Sequence, residues 1–165
     1  MCLILFAWNP GSTNKLIVAA NRDEFYQRPT KSAHFWDDDK NLLAGKDLEQ
    51  DGSWLGVTRD GKFAAVTNFR SLDGNKYPRS RGQLTTDFLH GSDTPEAYLA
   101  QLEGVQEQYA GFNLLVGDTT SLFYYSNRSE KSPLLLEPGV YGLSNHLLNT
   151  EWPKVNAGVK GLREA

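Results

Sequence analysis

Three times along this chain an apolar run, a cluster of turn-forming residues and a second apolar run follow one another. That pattern narrows the fold more than any other feature. Cys2–Trp8 and Leu16–Ala20 flank Asn9-Pro10-Gly11-Ser12, Trp54–Thr58 and Lys62–Thr67 flank Asp60-Gly61, and Phe112–Val116 and Leu122–Tyr125 flank Gly117-Asp118-Thr119-Thr120. Asn, Asp and Ser side chains bond to their own backbone in turns and glycine reaches positive φ, so each cluster reverses the chain. Three hairpins require antiparallel pairing in one or two sheets, with Gly139–Ser144 as a further strand. The first hairpin, apolar along both arms, reads as buried on both faces.

Helices are fewer. Thr94-Pro95-Glu96 combines a cap, a proline at the first helical position and early negative charge. Tyr98, Leu102, Val105 and Tyr109 then recur on one helical face, although Gly104 weakens it. A shorter helix over Gly82–Leu89 carries Leu84 and Phe88, and Trp152–Ala165 opens an amphipathic helix with Val155, Val159 and Leu162. Helices with one apolar stripe must lie on a sheet, so the expected class is α+β, antiparallel sheets layered with helices. A length of 165 residues suits one domain. The last helix runs out with neither a glycine cap nor a following strand, so the domain is expected either to end in a natural tail or to lack a C-terminal portion. Residues 26–53 and 70–80 show no period and read as long loops, the kind that lie over a site.

Charge and motifs exclude whole classes. Lys plus Arg number 17 against 20 Asp plus Glu, with no basic run, so nucleic acid is not expected as a partner. No apolar stretch approaches the roughly 20 residues of a membrane span. The apolar run Cys2–Trp8 has no Lys or Arg before it, unlike a signal peptide, and a lone cysteine permits neither a disulfide framework nor a paired-cysteine zinc site. A cytoplasmic location is expected. His34, His90 and His146 lack metal-ligand spacing, Asp37-Asp38-Asp39 lacks that of a calcium loop, and no phosphate-cradling glycine motif occurs. Neither a catalytic metal nor a nucleotide is expected. Asn127-Arg128-Ser129 matches a glycosylation acceptor, which without a secretory signal reads as chance.

The residue with most chemical potential is Cys2. Removal of Met1 would leave it at the N-terminus, where its own α-amine, pKa about 8, can serve as base for the thiol; otherwise it is a small core residue. In the first hairpin, opposite residues should sum to about 22 or 23, which sets Cys2 beside Ala20 or Asn21, with Arg22 and Asp23 within a residue or two. Arg22 would then favour thiolate, and Asp23 would hold the amine or orient Arg22; the alternative is a solvated turn with surface ion pairs. Asn68, in Thr67-Asn68-Phe69-Arg70, and Asn145, in Gly142-Leu143-Ser144-Asn145-His146, offer amides to an oxyanion, or else cap loops. His146 stands where a nucleophile elbow needs glycine, so Ser144 is not read as a nucleophile. Phe35, Trp36 and Trp54 either line an apolar pocket or pack the core.

Taken in order, these pieces resemble the NRDE family, which includes Transport and Golgi organisation protein 2 (TANGO2). The resemblance lies in Met1-Cys2-Leu3, Asn21-Arg22-Asp23-Glu24, the run from Gly45 to Gly56, Thr67-Asn68-Phe69-Arg70, Ser80-Arg81-Gly82, the run from Gly111 to Leu115, Gly142-Leu143-Ser144-Asn145 and Trp152-Pro153-Lys154. It covers nearly the whole chain. It implies an N-terminal nucleophile hydrolase-like fold, a small-molecule hydrophobic ligand and a role in haem trafficking, with haem as a possible ligand. The haem ligands stay open among His34, His90, His146, Cys2 and the tyrosines. More distantly the chain is similar to penicillin acylase and bile-salt hydrolase relatives, which implies an alternative: a cysteine amidohydrolase acting on a non-peptide acyl-amide, with Cys2 as nucleophile and Arg22, Asp23 and Asn145 in attendance. The late arginine of those hydrolases has no counterpart here. Members of the family are longer, which favours a missing C-terminal portion.

Overall fold

A computed structural model describes residues 2–70 and 75–165. Strands β1 (Leu3–Trp8) and β2 (Leu16–Asn21) form the first hairpin. β3 (Thr30–Phe35), β4 (Leu42–Asp47), β5 (Leu55–Thr58) and β6 (Phe63–Asn68) follow. Helices α1 (Arg81–His90) and α2 (Pro95–Glu103) precede β7 (Phe112–Gly117), β8 (Leu122–Ser126), the short β9 (Leu134–Leu135) and β10 (Gly139–Leu143). Helix α3 (Pro153–Glu164) comes last.

Every strand pairing is antiparallel. β3 to β9 form a seven-stranded meander, and β10-β1-β2 form a three-stranded sheet. Period-two alternation assigns the faces. Ile4, Phe6 and Trp8 of β1 meet Phe63, Ala65, Leu115, Leu122 and Tyr124, so the two sheets pack face to face. On the other face of the large sheet, Ala64, Val66, Leu114, Val116, Phe123 and Tyr125 meet Leu84, Phe88 and Leu99 of α1 and α2. α3 lies on the outer face of the small sheet, over β10 and β1. The layers therefore run helix, sheet, sheet, helix, which confirms an α+β fold of antiparallel sheets.

All three hairpins are present. At the β5–β6 turn Gly61 takes φ 96°, and a Cβ there would meet Thr119. Four expectations need correction. The first hairpin is not buried on both faces, because β2 is an edge strand with Ile17 48% exposed. Its paired residues sum to 24, as in Leu3↔Asn21, so continuing the register sets Cys2 level with Arg22. Residues 26–53 are not a loop throughout, since they contain β3 and β4. β3 is exposed along almost its whole length and is a strand through backbone pairing with β4, which leaves no apolar period to read. The second helix stops at Glu103 with Gly104 as its cap residue; Gln106–Gln108 is a separate 3-10 turn and Tyr109 lies beyond it. Of the expected loop 70–80, residues 71–74 lie outside the described residues, and 75–80 hold no element beyond a bridge between Arg79 and Tyr109.

Candidate functional site

The open end of the first hairpin faces the extended β3–β5 part of the large sheet across a cleft of about 790 Å³, within the range typical of ligand sites. Cys2 immediately precedes β1 at one wall, and Arg22, Asp23 and Glu24 leave β2 beside it. Leu43, Leu55, Val57 and Trp54 supply an apolar floor, and Asn68 projects from the end of β6. Two pieces of backbone form the far wall: Gly52-Ser53 before β5, and Ser80-Arg81-Gly82 at the start of α1. They touch directly. A Cβ on Gly52 would lie 2.7 Å from the Gly82 carbonyl carbon, Ser53 N–H donates to Gly82 O, and Thr85 Oγ1 donates to Ser53 O. Only glycine permits that approach, so two separated glycines pin α1 to the sheet beside the cleft.

A charge cluster shapes the rim. Arg22 Nη2 pairs with Glu24 Oε2 at 2.7 Å and reaches Asp47 Oδ2 at 3.8 Å. Arg28 Nη2 binds the same Asp47 oxygen at 2.7 Å, and Arg28 also approaches Glu24 and Glu49. Burial works against ionised Asp47, but the Arg28 hydrogen bond and charge, together with N–H donation from Glu49 and Gln50, hold its carboxyl below the ordinary range. Asp47 in turn holds the Arg28 guanidinium above its usual value. Among the described residues, six cations line the cleft (Arg22, Arg28, Lys31, Lys46, Arg79 and Arg81) against three carboxylates, Asp23, Glu24 and Asp47, in a chain whose net charge is −3.

The expectation of an acidic thiol at Cys2 is reversed. Burial is the largest influence and pushes the thiol up; the charge of the N-terminal amine, then Arg22 and Lys154, pull it down without prevailing, and Glu24 pushes it up again. Arg22 is thus not a free cation beside sulfur but one shared with Glu24. The Cys2 carbonyl is held firmly: Ser144 Oγ donates at 2.7 Å and Lys154 Nζ at 3.2 Å.

Of the five site residues read from sequence, Cys2, Arg22, Asp23 and Asn68 come together on the cleft. Asn145 lies behind it, buried, with one amide hydrogen donated at 2.9 Å to the carbonyl of Asn68 and its own Oδ1 unpartnered. It fixes the backbone of a cleft residue. Trp54 lines the cleft, whereas Trp36 packs in the helix-side core and Phe35 lies under the Arg59 guanidinium, 3.9 Å from its ring centre. No histidine is among the lining residues; Cys2 and Tyr77 are.

Sequence reading missed the support behind Cys2. Ser144 O accepts from Thr67 Oγ1, which accepts from Asn113 Nδ2; that amide also donates to His146 O, and Asn113 Oδ1 accepts from Tyr124 O–H. Asn113 is fully buried and Thr67 nearly so. This chain of bonds ties β6, β7, β8 and the end of β10 to the residue that opens β1. Its one legible signal was polar residues at inward positions of otherwise apolar strands, such as Asn113 in Phe112–Val116.

The family model for Transport and Golgi organisation 2 matches residues 1–165. A bovine protein described as Transport and Golgi organization protein 2 homolog is 41% identical over all of this chain and 64% of its own length, and the human homolog shows the same figures. The Drosophila melanogaster Transport and Golgi organization protein 2 is 30% identical over 96% of the chain and 62% of itself. The chain thus spans just under two thirds of the length of these three relatives. Among the described residues no helix is long and apolar enough to cross a membrane.

Proposed function

The chain belongs to the Transport and Golgi organisation 2 family, and on that premise we propose that it binds a small amphipathic ligand in the cleft, with the apolar body on Leu43, Leu55, Val57 and Trp54 and an anionic end among the rim cations. The observation that carries this is the lining itself: an apolar floor bounded, among the described residues, by twice as many cations as carboxylates. A ligand of that shape exchanges water for apolar contact on one side and for charge-assisted hydrogen bonds on the other. Haem is the cargo implied by the family resemblance, and its two propionates and flat apolar ring suit both halves. With no histidine among the described lining residues, Cys2 and Tyr77 are the side chains that could hold the iron. Titration of haem, and of haem esterified at both propionates, tests the reading. The expected result is a saturable absorption shift at micromolar protein, weaker for the ester and weaker at high salt. A shift equal for both forms would remove the cationic rim from the reading, and no shift would remove haem.

A second reading is favoured by one observation: Cys2, Arg22, Asp23 and Asn68 share a cleft. In a cysteine amidohydrolase of N-terminal nucleophile type, an architecture supported by the helix–sheet–sheet–helix layering, the Cys2 sulfur would attack an acyl-amide carbonyl and the freed α-amine would carry the thiol proton to the leaving nitrogen. Turnover of an N-acyl amide by protein freed of Met1, abolished in Cys2→Ala, is the result that reading requires.

A further inference from the structure

The large sheet is wider than the small sheet laid on it, and the difference leaves apolar surface in the open. One row of cross-strand neighbours marks where the cover stops. It runs Phe35, Leu43, Val57, Phe63, Gly117, Leu122, from β3 to β8. Leu122 and Phe63, at 1% and 4% exposure, lie beneath the small sheet; Val57 and Phe35 are each 37% exposed, with the Arg59 guanidinium stacked on one face of the Phe35 ring. Cover is lost on the side where β2 ends the small sheet, the side on which Cys2 and Arg22 face Leu43 and Val57 across the cleft. Among the described residues β2 pairs only with β1. Its sequence, LIVAAN, has no charge and no proline, and its register with β1 is uninterrupted. Three of the devices that usually blunt a sheet edge, a charge, a proline and a bulge, are therefore absent from β2.

We infer that the β2 edge and the Phe35–Leu43–Val57 face form one docking surface for further β-strands. The occupant is an extended segment that hydrogen-bonds along β2 and lays alternate apolar side chains on β3–β5. This does not rest on the ligand reading. Strand addition satisfies the open backbone groups of β2 and covers the apolar row in one step. At about 4.8 Å per strand, the overhang of β3–β5 leaves width for two or three. The bovine relative has chain to supply them, since about a third of its length lies outside the match. A second copy of this chain fits badly. Antiparallel pairing of β2 with its own copy sets the two-fold axis perpendicular to the small sheet, and both overhanging sheets, on the same side of it, would need the same space. Leu43 and Val57 also belong to the cleft floor, so added strands would take over that part of the floor and leave a ligand the Leu55 and Trp54 part beside Cys2.

Hydrogen exchange read by mass spectrometry on this 165-residue chain and on the full-length bovine relative tests the inference. In this chain the Leu16–Asn21 amides should exchange about tenfold or more faster than those of Leu3–Trp8, whereas in the relative the two matching strands should exchange alike. Val57→Glu should leave the thermal midpoint of this chain unchanged, and glutamate at the matching position of the relative should lower it. Should that glutamate abolish folding of the relative, threonine at the same position gives the milder form of the same readout. Fast exchange of the β2-matching strand in both proteins, or a relative indifferent to the glutamate, would overturn the proposal. So would a concentration-dependent dimer of this chain in which the β2 amides become protected.

Discussion

At Cys2 two influences on a thiol oppose each other: burial, which favours the neutral form, and the charges of the N-terminal amine, Arg22 and Lys154, which favour thiolate. Burial prevails, and Glu24, which pairs with Arg22, adds a raising charge of its own. Alkylation of Cys2 by iodoacetamide at neutral pH should therefore be slower than that of a free cysteine peptide, with a midpoint on the alkaline side of the usual value of about 8.5. Glu24→Gln removes both a raising charge and the competitor for Arg22, and should move that midpoint to lower pH; a profile unchanged by the substitution would break the link between the pair and the thiol. Asp47 is the opposite case. Its carboxyl lies below the ordinary value of about 3.9 in the folded chain. The stabilisation it confers is complete above the unfolded value and is lost as pH falls through the folded one. Asp47→Asn should cost about 1–3 kcal/mol near neutral pH, with the difference from the parent shrinking in acid unfolding curves below about pH 4.

Among the elements, α1 is placed by backbone contact as well as by its apolar face. Gly52 and Gly82 come together because neither has a Cβ, and Ser53 and Thr85 bond across the seam. Gly52→Ala would drive a methyl into the Gly82 backbone, which cannot turn aside as a side chain can. The expected cost is about 1–3 kcal/mol, with weakened ligand binding, because the same seam carries Arg81 to the cleft wall. Thr94→Ala at the α2 cap should cost about 1 kcal/mol and leave the cleft alone. Chemical unfolding and ligand titration of both variants separate a site effect from plain stability loss.

Across the whole molecule, two sheets are joined by apolar packing and by one buried polar path from Tyr124 through Asn113 and Thr67 to Ser144 and the Cys2 carbonyl. Such a path is costly when broken, because each remaining group stays buried without a partner. Asn113→Ala should remove about 1–3 kcal/mol beyond its packing loss and lower the thermal midpoint by several degrees. Tyr124→Phe should cost less, since it deletes one donor and leaves the Asn113 amide on its other bonds. Equal midpoints for Asn113→Ala and the parent would show that the path carries no stability.

The hairpins were legible from sequence because turn chemistry and apolar runs are local, and the cap of α2 for the same reason. Thr94 acts on a backbone group within three residues, as does Ser80 at α1, which sequence reading missed. Cys2, Arg22 and Asp23 were legible as a group because a hairpin returns the chain to its start, and the register was out by only one or two residues. β3 was not legible: an exposed edge strand is held by backbone bonds, to which side-chain pattern is blind. Neither was the direction of the Cys2 shift, since burial and the sharing of Arg22 depend on what the rest of the chain brings near. The approach of Gly52 to Gly82, thirty positions apart, and the path through Asn113 belong to the same class. Sequence by itself determined which segments pair with their neighbours, because those energies act over a few residues. Tertiary structure alone decided how two sheets of unequal width stack, what that leaves uncovered, and therefore where the cleft lies and what charge it holds.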